Sequence, residues 1–464
     1  MRKLFGTDGI RSVAGQYPLD SRTTFAIGLA LGHYFAKHKP AGAAQARFLV
    51  GQDTRESSAR IGDSLASGLA QAGCTVMSAG VITTPGVAHL TKAHGYQAGI
   101  VISASHNPWQ DNGIKIFGGN GYKLADAIEL EIEAEIFRLL ESDQLPSADE
   151  WRSDVRTLPG DTSLRREYEQ WLVSVVDTSN FSGITAVIDC ANGAASPVAK
   201  DLFTSLGLHG EVTHASPDGR NINERCGALH PEIVAAEVKA RGAQIGMTFD
   251  GDADRALFSD EHGNVVNGDA IMLLLARYMH ERAELAGDTV VATTMSNMGL
   301  EAAFKRSGIR MLRAPVGDKY VLEEMKKSGA VLGGEQSGHI ILSQVATTGD
   351  GLLTALKVLE VVTQAGKTLS QMIGDLKNFP QIIKNVRVRE KLPLDQIDSV
   401  QGAIRAAESE LADTGRVVIR YSGTEALARV MIEAESKERM QYHADQIASA
   451  IEQELGVGTP VTAH

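Results

Sequence analysis

The stretch Phe48–Met77, FLVGQDTRESSARIGDSLASGLAQAGCTVM, holds the pattern that decides the fold. Its opening apolar run ends in polar residues and predicts a strand. The next part places Ile61, Leu65 and Leu69 four residues apart, which predicts a helix with one apolar face. Gly73 then stands where a left-handed residue ends a helix, and a second apolar run follows it. The stretch is therefore predicted to be a strand–helix–strand unit.

The same unit occurs twice more along the chain. The second copy starts with the strand Ala186–Asn192, and Ser196 followed by Pro197 predicts a helix start in which the serine is the cap. The third copy starts with the strand Val290–Asn297. Repeated strand–helix–strand units predict parallel sheets that carry helices on both faces. Ligands are then expected where the strands end, at their carboxyl edge.

The chain has 464 residues, which is too many for one ordinary core. Three copies of the unit predict three similar α/β domains. The remaining part of the chain alternates strands near 386–389, 417–420 and 427–433 with helices near 404–411 and 440–455, which predicts a small α+β domain. The predicted domains span residues 1–155, 156–258, 259–370 and 371–464.

Charge and cysteine content exclude several classes of partner. The net charge of −12 disfavours nucleic acid and anionic membranes. Three cysteines without a paired spacing argue against a disulfide framework and against a zinc site made of Cys and His motifs. The first residues lack the apolar segment of a signal peptide, and no apolar run is long enough to span a bilayer. We therefore expect a cytoplasmic protein.

The segment Ile102–Pro108, ISASHNP, places Ser105 at the end of a predicted strand. A serine held there by an Asn-Pro turn is well placed to be a nucleophile or a phosphate carrier, and Lys115 can neutralise phosphate charge nearby. The alternative is a serine that only hydrogen-bonds within the turn. A hydrolytic dyad of Ser105 and His106 is disfavoured, because neighbours in an extended run point to opposite sides.

The segment Asp250–Arg255, DGDADR, places carboxylates at alternate positions of a tight turn. Asp250, Asp252 and Asp254 can converge on one hard cation, and Mg2+ fits best if a phosphate oxygen completes its shell. An EF-hand loop is disfavoured, because its sixth position needs glycine and here is Arg255. The alternative is an acidic surface turn.

Two further segments carry polar groups after apolar runs. In Gly333–His339, Glu335 and Ser337 can bond sugar hydroxyls, and Glu335 can pair with an ammonium group. In Arg420–Glu425, an arginine, hydroxyls and glycine amides are suited to hold a phosphate, with Arg429 further on. Either segment can also be an ordinary polar turn. The four segments together supply what phosphoryl transfer on a sugar phosphate requires.

The four segments, in this order, resemble the α-D-phosphohexomutase superfamily over essentially the whole chain, including Phe5–Arg11. The resemblance implies an α/β fold: three similar mixed-sheet α/β domains plus a smaller C-terminal α+β domain around a central cleft. It also implies one functional loop in each domain: a phosphoserine loop, a metal loop, a sugar-recognition loop and a phosphate-binding loop. Gly334–His339 and Met295–Leu300 look most like the branch of the superfamily that acts on glucosamine phosphates.

The resemblance also implies a role for each residue of the motifs. Ser105 is then the phosphoserine, and its phosphate joins the three aspartates in holding Mg2+. Lys115, Arg255 and His106 are expected to be catalytic. The residues expected to bind substrate are Glu335, Ser337 and His339 for the sugar, and Arg420, Ser422, Gly423, Thr424 and Arg429 for the phosphate that is not transferred. The general acid or base stays open among Lys115, His106 and His339.

The expected activity is interconversion of glucosamine 6-phosphate and glucosamine 1-phosphate, which feeds UDP-N-acetylglucosamine and cell-wall precursors. The expected cofactors are one Mg2+ per active site, glucosamine or glucose 1,6-bisphosphate as activator, and phosphorylation of Ser105. A small-molecule sugar phosphate and a second copy of the chain in a homodimer are the expected partners. The alternatives are an enzyme for glucose or mannose phosphates and a sensor without catalysis. Tyr421 and Ala426 replace prolines of the family pattern, which predicts a less rigid phosphate loop.

Overall fold

The computed structural model of the protein describes residues 4–38, 45–142, 145, 160–422 and 426–457. The chain forms two compact units. The first combines residues 1–295 with 309–374, and the second combines residues 296–308 with 375–464. None of the helices in the described ranges is long and apolar enough to cross a membrane.

The first sheet has the strand order β1-β5-β4-β2-β3. Strand β2 runs parallel to β3 and β4, while β5 runs antiparallel to β4 and β1. Its strands are β1 Ile10–Val13, β2 Arg47–Gln52, β3 Thr75–Val81, β4 Ala98–Ile102 and β5 Asp111–Gly118. Its helices are α1 Ser21–Lys37, α2 Ser58–Gln71, α3 Thr84–Ala93 and α4 Asp126–Leu140.

The second sheet repeats this plan with the order β10-β9-β8-β6-β7. Strand β6 runs parallel to β7 and β8, and β9 returns antiparallel to β8. Its strands are β6 Thr185–Asp189, β7 His209–Thr213, β8 Ile245–Phe249, β9 Ala256–Ser259 and β10 Val265–Val266. The helices of this part of the chain are α5 Thr162–Ser174, α6 Ser196–Ser205 and α7 Pro231–Arg241.

The third sheet has the order β12-β11-β13-β14, in which the last strand is antiparallel. Its strands are β11 Thr289–Thr293, β12 Arg310–Ala314, β13 Leu332–Gly334 and β14 Ile340–Leu342. The helices of this region are α8 Gly268–Glu281, α9 Met298–Arg306, α10 Asp318–Ser328, α11 Gly351–Ala365 and α12 Leu369–Ile373. Helix α9 belongs to the second unit.

The three predicted strand–helix–strand units are confirmed: β2-α2-β3, β6-α6-β7 and β11-α9-β12, each with a parallel strand pair. Gly73, Gly207 and Gly308 follow the helices with φ of 77°, 76° and 73°, where a side chain would be strained. Antiparallel strands at one edge make all three sheets mixed. The predicted cap at Ser196 is wrong. Ala195 already has helical angles (φ −70°, ψ −22°), so Ser196 lies inside the first turn and caps nothing.

Helices α1 and α2 approach each other through glycines. A Cβ atom on Gly28 would lie 2.0 Å from the carbonyl oxygen of Leu65, and one on Gly68 would lie 2.1 Å from that of Phe25. Only residues without a side chain allow the two backbones to come this close. The close crossing encloses the main core of the first sheet, which includes the fully buried Phe48.

The second unit is built on a three-stranded antiparallel sheet of order β15-β17-β16. Its strands are β15 Gln381–Arg387, β16 Gly415–Tyr421 and β17 Leu427–Ala434, and its further helices are α13 Asp398–Leu411 and α14 Lys437–Leu455. Buried Glu433 on β17 accepts hydrogen bonds from the backbone N–H of Met298 at 3.2 Å and from Arg416 at 2.7 Å. Helix α9 is thereby anchored to this sheet. The predicted α+β character of the C-terminal part is confirmed, while the four domain boundaries stay predictions.

Candidate functional site

Ser105 lies in the loop of residues 103–110 (the serine loop), directly after β4. Its backbone adopts φ 52°, a left-handed conformation that is uncommon outside glycine. The side chain is buried, and its hydroxyl donates a hydrogen bond to Oδ2 of Asp250. The structure therefore brings together the predicted phosphate carrier and a predicted metal ligand from two different sheets.

The geometry of Ser105 also corrects the expectation about His106. The hydroxyl of Ser105 lies 3.4 Å from Nδ1 of His106, although the two side chains were expected to point apart. The alternation of a strand does not apply, because the left-handed backbone at Ser105 ends the extended run. His106 lies on the same side as Ser105.

Asp250, Asp252 and Asp254 follow β8 in a turn that Ala253 closes with φ 57°. All three are buried, and each offers a carboxylate oxygen within 4.8 Å of the others. Oδ1 of Asp252 and Oδ1 of Asp254 are buried without a hydrogen-bond partner. Burial raises the pKa of the Asp250 carboxyl, and the negative charges of Asp254 and Asp252 raise it further.

The residues of this turn fit a bound metal ion. Three crowded carboxylates repel one another, and two of them keep oxygens that no protein group satisfies. A hard divalent cation removes both problems, because carboxylate oxygens are its preferred ligands. The three aspartates are the residues that could hold the ion.

Lys115, on β5, is the main cation of the site. Its ammonium nitrogen lies 2.8 Å from Oδ2 of Asp252, 3.0 Å from Oδ2 of Asp8 and 3.7 Å from Oδ2 of Asp254. Burial lowers the pKa of Lys115, but the charges of these three aspartates outweigh burial and raise it overall. Asp8 comes from the segment Phe5–Arg11, where Arg11 pairs with it.

Glu335 follows β13. The serine loop, the metal turn and the segment with Glu335 therefore all start at the carboxyl end of a strand. One oxygen of Glu335 accepts the backbone N–H of Gly317 at 3.0 Å. His339 is buried, and its Nε2 accepts the backbone N–H of Gly349 at 3.2 Å. An accepting Nε2 leaves the ring proton on Nδ1, which lies 3.7 Å from Oδ1 of Asp254.

A cavity of about 380 Å³ lies next to these groups. Five of the predicted site residues line this cavity: His106, Asp254, Arg255, Glu335 and His339. The other polar residues of the lining are Thr7, Asp8, Arg11, Asp318, Lys319 and Tyr320. Ser337 is exposed and is not part of the lining. The size and the charges of the cavity suit a sugar phosphate.

Arg55 is a site residue that was not predicted. Its side chain is fully buried and pairs with the equally buried Asp53 at 2.8 Å. Its remaining donors bond carbonyl oxygens of the serine loop and of the start of β5: Ser105 and Asn107 at 2.9 Å, Asp111 at 3.0 Å, and Pro108. All five N–H groups of the guanidinium are thus occupied. The polar end of β2 was the only signal in the sequence.

Asn223 and Thr84 are two more site residues that were not predicted from the sequence. The side-chain amide of Asn223 donates to the carbonyl oxygen of Ser105 at 2.9 Å and to that of Asn107 at 3.2 Å. Thr84, at the start of α3, donates its hydroxyl to Oδ2 of Asp252 at 2.5 Å. Residues from two sheets therefore fix the serine loop and the metal turn.

The predicted phosphate residues belong to the second unit. Arg420 on β16 lies opposite Arg429 on β17 in the strand register. The carbonyl oxygen of Ser422 accepts a hydrogen bond from Lys391 at 2.6 Å, and the hydroxyl of Tyr421 donates to the carbonyl of Leu392 at 2.6 Å. Tyr421 is thereby bonded to the segment that follows β15, and the lower rigidity of the phosphate loop stays a prediction. Gly423 and Thr424 lie outside the described residues.

The chain matches four domain families. They are described as phosphoglucomutase/phosphomannomutase alpha/beta/alpha domain I at residues 2–143, domain II at residues 166–263, domain III at residues 267–379 and the C-terminal domain at residues 383–450. The four matches follow one another in order and together cover most of the sequence.

A curated relative from Koribacter versatilis, named phosphoglucosamine mutase, is 61% identical over 460 residues, which cover 98% of both chains. A phosphoglucomutase/phosphomannomutase family protein from Burkholderia thailandensis has the same fold, with a TM-score of 0.76, 24% identity, and 97% and 98% of the two chains covered. An N-acetylphosphoglucosamine mutase from Aspergillus fumigatus, solved with GlcNAc-6P and magnesium, has a TM-score of 0.61 at 19% identity, with 97% and 95% covered.

Proposed function

The chain belongs to the phosphoglucomutase/phosphomannomutase family, and we propose that within it the chain interconverts glucosamine 6-phosphate and glucosamine 1-phosphate through a phosphorylated Ser105. It is an isomerase that moves a phosphoryl group within a phosphosugar. The observation that carries the proposed mechanism is the hydrogen bond from the Ser105 hydroxyl to Asp250. Oγ of Ser105 is the atom that receives and releases the phosphoryl group in the proposed mechanism.

The proposed reaction has two transfers. In the first, the bond between Oγ of Ser105 and phosphorus breaks and Oγ takes up a proton, while a free sugar hydroxyl forms the new bond to phosphorus and gives its proton to a base. The product of this step is a 1,6-bisphosphate, which turns round. In the second transfer, its other phosphate returns to Ser105. A glucosamine or glucose 1,6-bisphosphate phosphorylates Ser105 at the start.

Asp250, Asp252 and Asp254 are the residues proposed to hold Mg2+, together with an oxygen of the phosphoserine. When bound, the ion would neutralise charge on the phosphoryl oxygens. Lys115 keeps Asp252 and Asp8 in place and adds positive charge beside the serine phosphate. Arg255, whose side chain is 24% exposed, is close enough to the cavity to contact a transferring phosphate.

Lys115, His106 and His339 are the proposed candidates for the general acid or base that moves the hydroxyl proton. The two histidines line the cavity. His106 lies beside the Ser105 hydroxyl, and His339 is held by its bond from Gly349. The pH–rate profiles of His106→Gln and His339→Gln are compared to identify the base. Titration of the base produces one limb of the profile, so this limb should disappear only in the variant that lacks the base.

Glu335 is the residue proposed to distinguish glucosamine, because its carboxylate lines the cavity and can pair with the ammonium group of the sugar. His339, which lines the cavity, and Ser337, which lies outside its lining, are proposed to contact the sugar as well. The residues proposed to bind the non-transferring phosphate are Arg420, Ser422, Gly423, Thr424 and Arg429. The specificity is tested by comparing kcat/KM for glucosamine and glucose 1-phosphates. A higher value for glucose 1-phosphate would reject the amino sugar.

The decisive experiment follows the reaction by ³¹P NMR with glucosamine 6-phosphate, Mg2+ and a trace of 1,6-bisphosphate. The wild-type chain is expected to form glucosamine 1-phosphate, and Ser105→Ala to form none. Ser67→Ala, a serine that bonds only its own helix, is the control and is expected to keep full activity. Mass spectrometry should find phosphate on Ser105. A wild-type chain that never carries phosphate and never turns over would be a sensor instead.

We further propose that the enzyme works in the cytoplasm as a homodimer, on the path to UDP-N-acetylglucosamine and cell-wall precursors. The dimer and the pathway rest on the family resemblance of the sequence motifs, and the compartment rests on the composition of the sequence. Light scattering at several concentrations tests the dimer.

A further inference from the structure

A second group of metal-binding side chains lies outside the catalytic site. Asp189 ends β6, His214 follows β7, and Cys226 lies in the loop of residues 221–227 (the asparagine loop). Each offers one ligand atom, and the three atoms lie within 4.8 Å of one another. Asp189 and Cys226 are fully buried. The three residues lie at the carboxyl edge of the second sheet, where strand ends gather polar groups.

The contact between His214 and Asp189 is not an ordinary hydrogen bond. Nδ1 of His214 lies 3.2 Å from Oδ1 of Asp189. That nitrogen is nevertheless buried without a hydrogen-bond partner. A buried polar atom in this condition costs free energy unless something satisfies it. A metal ion bound by both atoms would satisfy this nitrogen, since bonds from one ion to nitrogen and oxygen are each about 2 Å long.

From this geometry we propose that Asp189, His214 and Cys226 form a second metal site, which binds Zn2+. Carboxylate, imidazole and thiolate together are a typical ligand set for zinc, with a water molecule as the fourth ligand. A thiolate is a poor ligand for Mg2+, which prefers oxygen only. The site therefore differs in chemistry from the three aspartates of the catalytic turn.

The charges of the proposed site balance. Asp189 and the Cys226 thiolate carry one negative charge each, and neutral His214 adds none, so a divalent ion makes the buried group neutral. The Cys226 thiol is buried, and the metal displaces its proton. On binding, the S–H bond breaks, the proton leaves to solvent and the sulfur–zinc bond forms. His214, with a side chain 34% exposed, gives the ion a route from solvent.

Zinc bound there would stabilise the asparagine loop. The carboxylate of Asp189 already accepts the backbone N–H groups of Ala191 and Gly227, both at 2.9 Å. These bonds leave lone pairs on Asp189 for a metal, because each carboxylate oxygen has two. The same loop carries Asn223, whose amide holds the carbonyl oxygens of Ser105 and Asn107. The proposed ion thus fixes a loop that supports the serine loop.

Cobalt substitution tests the ligand set directly. The full-length chain is titrated with Co2+ in excess Mg2+, which saturates the aspartate turn. Thiolate ligation gives a sulfur-to-cobalt charge-transfer band that oxygen ligands cannot give. The wild-type chain should show this band at one Co2+ per chain, and Zn2+ should remove it. An absent band, or a band that Zn2+ does not compete away, overturns the proposal.

Variants separate the proposed site from other cysteines. Cys226→Ser and His214→Ala should each lose the band or weaken Co2+ binding at least tenfold, and His214→Ala keeps the test valid if the buried serine variant does not fold. Cys190→Ala is the near control and Cys74→Ala the remote one, and both should keep the band. Loss of the band in Cys190→Ala with retention in Cys226→Ser contradicts the ligand set.

A second readout uses no spectroscopy of the metal. Zn2+ should raise the thermal unfolding temperature of the wild-type chain in excess Mg2+, and the rise should disappear in His214→Ala. An equal rise in both proteins would mean adventitious binding only and would overturn the proposal. Neither readout depends on turnover, so they test the zinc site separately from the mutase activity.

Discussion

At the scale of single residues, the serine loop is held by side chains that do not line the cavity beside it. Arg55 and Asn223 bond the carbonyl oxygens of the loop, and neither lines the cavity. Ser103 adds a bond between its hydroxyl and Asp53 at 2.6 Å. The left-handed backbone of Ser105 is therefore supported from several directions, and the bond to Asp250 orients its hydroxyl.

Arg55→Lys should lower kcat at least about 100-fold with little change in KM, because a misplacement of about 1 Å at a reacting atom has that effect. Lysine keeps the positive charge beside Asp53, but its single ammonium group cannot bond the four carbonyl oxygens that the planar guanidinium bonds. Steady-state kinetics on glucosamine 6-phosphate provide the measurement. Arg60→Lys, an exposed position of the same helix region, is the control. A variant with raised KM and normal kcat would mean that Arg55 acts on substrate binding instead.

At the scale of elements, helices α3 and α5 pack through a histidine that resists protonation. The ring of His89 stacks on Trp171 with centroids 4.0 Å apart. Burial lowers the pKa of His89 from 6.5 to about 4, with Lys92 and His94 lowering it and Glu167 opposing them. The unfolded chain therefore binds a proton near pH 6.5 that the folded chain does not bind until about pH 4.

The free energy of unfolding of the first unit should consequently fall as the pH is lowered from 7 to 5. This fall should be smaller in His89→Gln. The measurement is urea unfolding of both proteins at the two pH values. The comparison of interest is the difference between wild type and variant at each pH, since other groups titrate in both. Equal pH dependence in the two proteins would show that His89 contributes nothing.

The crossing of α1 and α2 gives a second prediction at this scale. Gly68→Ala should destabilise the first unit by about 3 kcal/mol, because the added Cβ would meet the carbonyl oxygen of Phe25 and push the helices apart. Gly62→Ala lies in the same helix, and its Cβ would find its nearest atoms at 3.8 Å. This control should be neutral or stabilising by up to about 1 kcal/mol. Urea unfolding measures both, and equal effects would exclude a close crossing.

At the scale of the whole molecule, the second unit is assembled from two separate parts of the chain. Residues 296–308 supply helix α9, and residues 375–464 supply the sheet and the other helices. A Cβ on Gly299 would lie 1.8 Å from the carbonyl oxygen of Lys377, so the helix start lies directly against the later part of the chain. Glu433 is the buried charge that depends on both parts.

A fragment of residues 375–464 alone should therefore fold poorly, because without α9 the buried Glu433 loses the Met298 N–H group. Its NMR amide spectrum should show little dispersion. Adding a peptide of residues 296–308 should restore part of the structure, since it returns the Met298 N–H group to Glu433. A well-dispersed spectrum of the unchanged fragment would contradict the prediction.

The sequence was sufficient for the repeated units and for the main chemical groups. Periodic leucines and end glycines predicted the strand–helix–strand units, and the ASHNP and DGDADR segments predicted Ser105 and the three aspartates. Arg55, Thr84 and Asn223 were missed because their contacts join residues 50, 168 and 118 positions apart, and no local pattern shows such pairs. The orientation of His106 was missed because nothing local indicates a left-handed serine.

The two-part assembly of the second unit has a consequence for the order in which the chain is made. Glu433 is 135 residues downstream of Met298. At a translation rate of about 5–20 residues per second, helix α9 leaves the ribosome roughly 7–27 s before its partner strand exists. During that interval the start of α9 has no partner, because the later part of the chain that packs against it has not been made. Chaperone binding to stalled chains that end before residue 375 should therefore concentrate at residues 296–308.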